Sequence, residues 1–198
     1  SYMILEALES FGGTWLMHKY PGIRSDSDLY TFGYRFKPWT GAPIATAEAI
    51  LKYMGEVIDE YGLAAHIRYQ QHISAASWDS ATNLWTVEVA NTATGEQWRV
   101  TTNFLWMCQG YYKHSEGYTP EWPGMDQYKG QIVHPQTWPD DLDLHGKKVV
   151  CIGSGATTAT VVPAIAGEVE HVTVLQRSPT YFFPGLKRNE MADQSRAL

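Results

Sequence analysis

Chemistry is most concentrated where the apolar run 147–152 meets Gly153-Ser154-Gly155-Ala156-Thr157-Thr158. A glycine turn between a strand and a helix aims the first helical amides at an anion, the arrangement that holds the pyrophosphate of a dinucleotide. A helix expected over 156–166 and a second apolar run at 171–175 complete strand, turn, helix and strand within about 30 residues, as a βαβ unit requires. Thr158 stands where the Gly-x-Gly-x-x-Gly fingerprint has its third glycine. A β-branched residue is bulky for that close packing, so helix register or angle adjusts, or Ala159 takes the packing role. Pro163 inside the helix predicts a kink or a short first segment. After the second strand, Gln176-Arg177-Ser178 replaces the acid that would bond a ribose hydroxyl pair. A cation beside a hydroxyl suits a 2′-phosphate, so the preference is NADP over NAD.

A second group opens the chain. An apolar strand over 3–5 ends at Glu6, and Gly12-Gly13-Thr14-Trp15 follows. An acid at a strand end can bond a ribose, and paired glycines let backbone approach a flat cofactor. A surface glutamate and a glycine-rich turn would read the same way. Arg24 and Asp26 come two apart after a Pro-Gly turn and would share a face of an extended segment. Either a cofactor contact or a surface ion pair is open to them. Tyr30, Phe32, Tyr34, Phe36 and Trp39 follow at mostly even spacing, which favours core packing.

The third group is Tyr128-x-Gly130-x-x-x-His134-x-x-x-Trp138-Pro139. Gly130 is expected to supply a backbone conformation closed to other residues, and Pro135 and Pro139 remove amide donors, so the segment is a connector carrying large side chains. By its chemistry alone, His134 could serve acid–base or metal work. His66, His72, His114, His145 and His171 lack paired ligand spacing and read as structural or surface residues. No metal site is expected.

The elements that must position these groups are legible. Ile50, Leu51, Met54, Val57, Ile58 and Tyr61 repeat at helical spacing over 46–61, with Thr46 as cap and Gly62 as stop. Residues 66–110 alternate in the strand manner with a turn at 91–95, predicting a small antiparallel meander. The continuous apolar run 104–108 reads as a strand buried on both faces, ending at Gln109-Gly110. Cys108 and Cys151 then become reduced core thiols. The sequence is 44% hydrophobic and 18% charged with net charge −6, an ordinary globular balance. Without a dense basic run, nucleic acid and stable membrane insertion are poor expectations, and the expected compartment is the cytoplasm. The opening strand at residue 2 and the polar close at 194–198 are expected of a piece of something longer.

Together, Glu6, Gly12 to Trp15, residues 20–26, 128–139, 153–159 and 176–180 resemble the class B flavin-dependent monooxygenases. Trp138-Pro139 resembles the Baeyer–Villiger branch, and the run 24–39 is most similar to its ethionamide-activating subgroup. Tyr128 stands where that branch usually has Phe, and Thr158 where it has Gly or Ala. The resemblance implies an α/β fold with two dinucleotide-binding domains: a Rossmann-like FAD domain with an antiparallel meander over 1–110, a linker over 111–144, and the start of an NADP domain over 145–198. It implies that Glu6, Gly12, Gly13, Thr14, Trp15, Asp26 and, through its backbone, Ile73 hold FAD. Arg24, Ser25, Asp26, Gly153 to Ala159, Arg177 and Ser178 would hold NADPH. Asp26 would orient a catalytic arginine outside this chain, and Tyr128, Gly130, His134, Trp138 and Pro139 would form a hinge in which His134 latches rather than catalyses. The implied activity is insertion of one oxygen atom from O₂ into a ketone, or oxygenation of a sulfide or thioamide. Flavin N- or S-oxygenation and a non-catalytic NADP-binding module remain the alternatives. Substrate and oligomeric state are not legible, and the chain by itself is expected to be inactive.

Overall fold

The computed structural model describes residues 1–183, 185 and 190–196; the last two residues of the polar close lie outside them. Short β1 (Ile4–Leu5) is followed by two single-turn helices, α1 (Thr14–Met17) and α2 (Leu29–Phe32). Asp28 caps α2, its carboxylate accepting from the Tyr30 amide at 2.7 Å. The long helix α3 (Ala47–Glu60) forms where the helical spacing predicts it. The Thr46 hydroxyl accepts from the Ala49 amide at 3.3 Å, and Gly62 takes the left-handed φ of 61° that stops the chain turning.

Strand β2 (Ile67–Arg68) lies parallel to β1, with Ile4 opposite Ile67 and Leu5 opposite Arg68. The expected meander is present as β3 (Gln71–Asp79), β4 (Leu84–Asn91) and β5 (Gln97–Thr102), paired antiparallel in that order. Val87 and Val89, at 2% and 1% exposure, put the buried face on the central strand. Register shifts between Ile73 and Ala75, a bulge. Further on, β6 (Lys148–Ile152) and β7 (His171–Leu175) pair parallel across the crossover helix α4 (Ala156–Ile165), and α5 (Glu190–Arg196) follows. Leu144, Val161 and Ile165 form the core under α4, joined by Tyr20, Trp138 and Cys151.

By their contacts the described residues form two units, one of Ser1–Leu16 with Leu51–Lys113, the other of Met17–Ile50 with His114–Leu198. Residues 17–50 therefore pack with the βαβ segment. Among the described residues no helix is long and apolar enough to cross a membrane.

Two expectations fail. The run 104–108 is not a buried strand: it pairs with nothing in the described sheets, and Phe104 and Trp106 are 74% and 78% exposed. Apolar content specifies burial only if neighbouring strands exist to cover it, so Cys108 is exposed rather than a core thiol. The aromatics after Tyr30 do not form core either. Their spacing is interrupted by α2, which buries Leu29, and of the later ones only Trp39 is buried, while Phe32, Tyr34 and Phe36 face solvent. Strands β6 and β7 bury one face toward α4, through Val149, Cys151 and Val172, while Val150, Ile152 and Leu175 are exposed on the other.

Candidate functional site

The nucleotide-side site is built on β6, α4 and β7. Gly153 has φ 119°, a region closed to most side chains, where the chain leaves the strand. A Cβ there would stand 3.8 Å from the Thr158 hydroxyl, an ordinary contact, so threonine is accommodated in the third-glycine position. Gly155 caps α4 in extended backbone, and a Cβ on it would meet nothing within 4 Å. The helix start therefore has open space before its amides, which fits a pyrophosphate. Arg177 and Ser178 follow β7 and are exposed.

One residue here was not anticipated. The Ser154 hydroxyl lies 2.7 Å from that of Thr180 and donates to the Ser178 carbonyl at 3.3 Å. With that proton committed, Thr180 donates to Ser154, and the two hydroxyls tie the glycine turn to the loop carrying Arg177. Glycine and cation spacing gives no signal for such a cross-link, since Thr180 becomes a neighbour of Ser154 only once β6 and β7 pair.

Arg24, Ser25 and Asp26 belong to the same unit. Ile23, Ser25, Ala45 and Ala47 exchange backbone bonds around an antiparallel bridge between Arg24 and Thr46. This extended pairing turns Ser25 inward, where its buried hydroxyl accepts from the Ala45 amide at 3.1 Å, and turns Arg24 and Asp26 outward. Arg24 reaches the Ala159 carbonyl of α4 at 3.4 Å, and Asp26 accepts from Ser27 at 3.1 Å.

In the connector, His134 precedes a turn of 3₁₀ helix, Pro135–Thr137, and its Nδ1 accepts from the Gln136 amide at 3.1 Å. In the neutral ring, that bond places the proton on Nε2. Gly117 packs so close to the imidazole that a Cβ would overlap it. Gly130 does not have positive φ; the exposed Tyr128 ring folds over it and occupies the place a Cβ would take. Trp138 is half-buried against the α4 core, and Pro139 continues it. Burial, with the charges of His114 and His134, holds buried His18 below its ordinary pKa. Burial likewise pushes the Cys151 thiol up, away from reactivity. Among the described residues no three His, Cys, Asp or Glu converge as metal ligands.

The other unit carries the flavin-side candidates. Glu6 is fixed by backbone bonds to Arg68 and Gln71, and its carboxylate accepts from the Leu8 amide at 2.9 Å. Tyr69, unremarked in the sequence, is brought near by the β1–β2 pairing; burial, then Glu6, raises its hydroxyl pKa. The two glycines divide their roles. Gly12 (φ 121°) is buried, with Leu51 filling the place of a Cβ, whereas Gly13 (φ 48°) has nothing within 4 Å of that position. Open space at Gly13 fits close approach of a flat ring. Thr14 and Trp15 form the start of α1, and Ile73 lies at the β3 bulge.

These features define an α/β flavoprotein fold with two dinucleotide-binding domains, and solved structures agree. A cyclohexanone monooxygenase mutant from Rhodococcus sp. Phi1 bound to NADP+ matches with TM-score 0.79 at 30% identity, over 98% of this chain and 38% of that one. OTEMO in complex with FAD and NADP matches with TM-score 0.76 at 28% identity, over the same shares of 98% and 38%. The family model for flavin-binding monooxygenase-like proteins covers residues 43–189. The FAD-containing monooxygenase EthA of Mycolicibacterium smegmatis is 53% identical over 183 residues, which are 91% of this chain and 37% of that protein. Its namesake from Mycobacterium tuberculosis is 48% identical over 196 residues, 98% and 40% of the two chains. The chain belongs to the flavin-binding monooxygenase-like family, and spans about two fifths of the length of these relatives.

Proposed function

We propose that this chain is part of an NADPH- and FAD-dependent monooxygenase that transfers one oxygen atom of O₂ to a ketone, or to the sulfur of a sulfide or thioamide. The observation that carries the reading is the β6–turn–α4–β7 unit, with open space at Gly155 and Arg177 after β7. In this reading the amides of Gly155 to Thr158 and the Thr157 side chain bind the pyrophosphate, Ser154 and Ala159 shape the turn and the helix start, and Arg177 and Ser178 bind the 2′-phosphate. Thr158 keeps the turn closed over Gly153. Glu6 takes the FAD ribose, Gly13 admits the ring system beside Thr14 and Trp15, and Ile73 offers backbone to the adenine. Gly12 and Ser25 act beneath these contacts, Gly12 by accepting Leu51 and Ser25 by holding Arg24 and Asp26 outward. Asp26 orients a catalytic arginine from outside the chain. The bound flavin supplies reduction by NADPH and activation of O₂; the protein supplies binding, orientation and exclusion of water.

Domain limits of 1–110, 111–144 and 145–198 go with this proposal, as does a hinge role for Tyr128, Gly130, His134, Trp138 and Pro139. A cytoplasmic location goes with it because NADPH is supplied inside cells. The cyclohexanone monooxygenase neighbours support a ketone as substrate. The test is Arg177→Ala in the complete protein: kcat/KM for NADPH should fall about tenfold or more while that for NADH changes little, the loss of a charge-assisted pair. Equal losses with both cofactors would sink the 2′-phosphate assignment. Parallel turnovers with a ketone and a thioether separate the two oxygenations.

A further inference from the structure

Pro163 sits inside α4, and its missing amide has a specific address. In an α-helix the amide of residue 163 would bond the carbonyl of residue 159. Proline cannot donate, and its ring pushes that carbonyl outward. The Ala159 carbonyl is the one that accepts from the Arg24 guanidinium, at 3.4 Å. A second contact brings the two segments together at the same turn. Gly22 (φ 74°) comes so close to α4 that a Cβ on it would stand 2.9 Å from the Ala164 Cβ and 3.1 Å from the Thr160 carbonyl. The Pro21-Gly22 turn thus lies on the helix beside Pro163, and Arg24 extends from it to the acceptor that the proline leaves.

We propose that Pro163 is a positioning residue: it withholds an amide from Ala159 so that this carbonyl holds Arg24 at the nucleotide helix. The inference rests on the reading of β6–α4–β7 as an NADP site. Helix propensity and cofactor binding then pull in opposite directions at residue 163. An alanine there restores the intrahelical bond, strengthens α4 and draws the Ala159 carbonyl back into line with the helix, away from Arg24.

The experiment uses the complete FAD-loaded protein and NADP+ as titrant, with wild type, Pro163→Ala, Arg24→Ala and the double variant. Pro163→Ala should melt no lower than wild type, and the amide it introduces should be protected from hydrogen exchange. Its Kd for NADP+ should rise about fivefold, the loss of a charge-assisted hydrogen bond. Arg24→Ala should weaken binding at least as much, and adding Pro163→Ala to it should cost nothing further. Wild-type affinity in Pro163→Ala, or an undiminished effect of that change in the Arg24→Ala background, overturns the inference while leaving the NADP reading intact. A wild-type protein that does not bind NADP+ overturns both. A variant that melts lower with an unprotected new amide overturns the inference as well, since α4 would then have no bond to regain.

Discussion

At the scale of single residues, the structure sorts side chains that the sequence could only group. Arg24-Ser25-Asp26 looks like three polar residues in a row, yet the bridge to Ala45 turns the middle one inward and makes it structural. Gly12 and Gly13 are identical in sequence and opposite in use, one filled by Leu51 and one open. Neither distinction is legible from spacing, because each depends on a neighbour 20 or more residues away. His18 is the residue with the plainest titration consequence. Burial and two nearby histidines hold it below its ordinary 6.5. A base with lowered folded pKa takes up its proton at a lower pH in the fold than in the unfolded chain, which gains one as pH falls through 6.5. The unfolded state then binds more protons, so stability present above that pH is lost progressively below it. The melting temperature should fall between pH 7 and pH 5.5, by an amount on the order of a few degrees, and His18→Gln should flatten the slope. A slope unchanged by the substitution would assign the pH response to other groups.

At the scale of elements, legibility follows how local the determinants are. Helix α3, the meander and β6–α4–β7 come through because periodicity, caps and turn glycines reside within each segment. The run 104–108 and the aromatics after Tyr30 do not, because strand burial and aromatic burial depend on what is laid against them. The connector shows both cases. Its 3₁₀ turn follows from Pro135 after a capping His134, but its anchorage through Trp138 to the core of Leu144, Val161 and Ile165 is a tertiary fact. That contact yields a prediction. Trp138→Ala should lower stability by about 2 kcal/mol, less than for a fully enclosed tryptophan because the ring is only half-buried. Urea unfolding with an unchanged m-value would show it, and a loss under 0.5 kcal/mol would mean that the connector is not fastened there.

At the scale of the whole molecule, the chain spans about two fifths of its relatives' length, and the proposed reading places residues of two cofactor sites within it. In the proposed reading Asp26 orients an arginine, and no position of this chain is assigned to that arginine. The 198-residue chain on its own should therefore show no NADPH-dependent oxygenation of ketone or thioether. Stoichiometric product from the purified chain, measured against NADPH consumed, would refute that.

The uncovered run 104–108 has a consequence for handling. Phe104, Trp106 and Met107 are exposed, with Tyr111 and Tyr112 just beyond and Cys108 exposed among them. Contiguous apolar surface drives association, and an exposed thiol within it is open to air oxidation. In a test tube, shelf life and colloidal behaviour will be governed by this strip before either nucleotide is added.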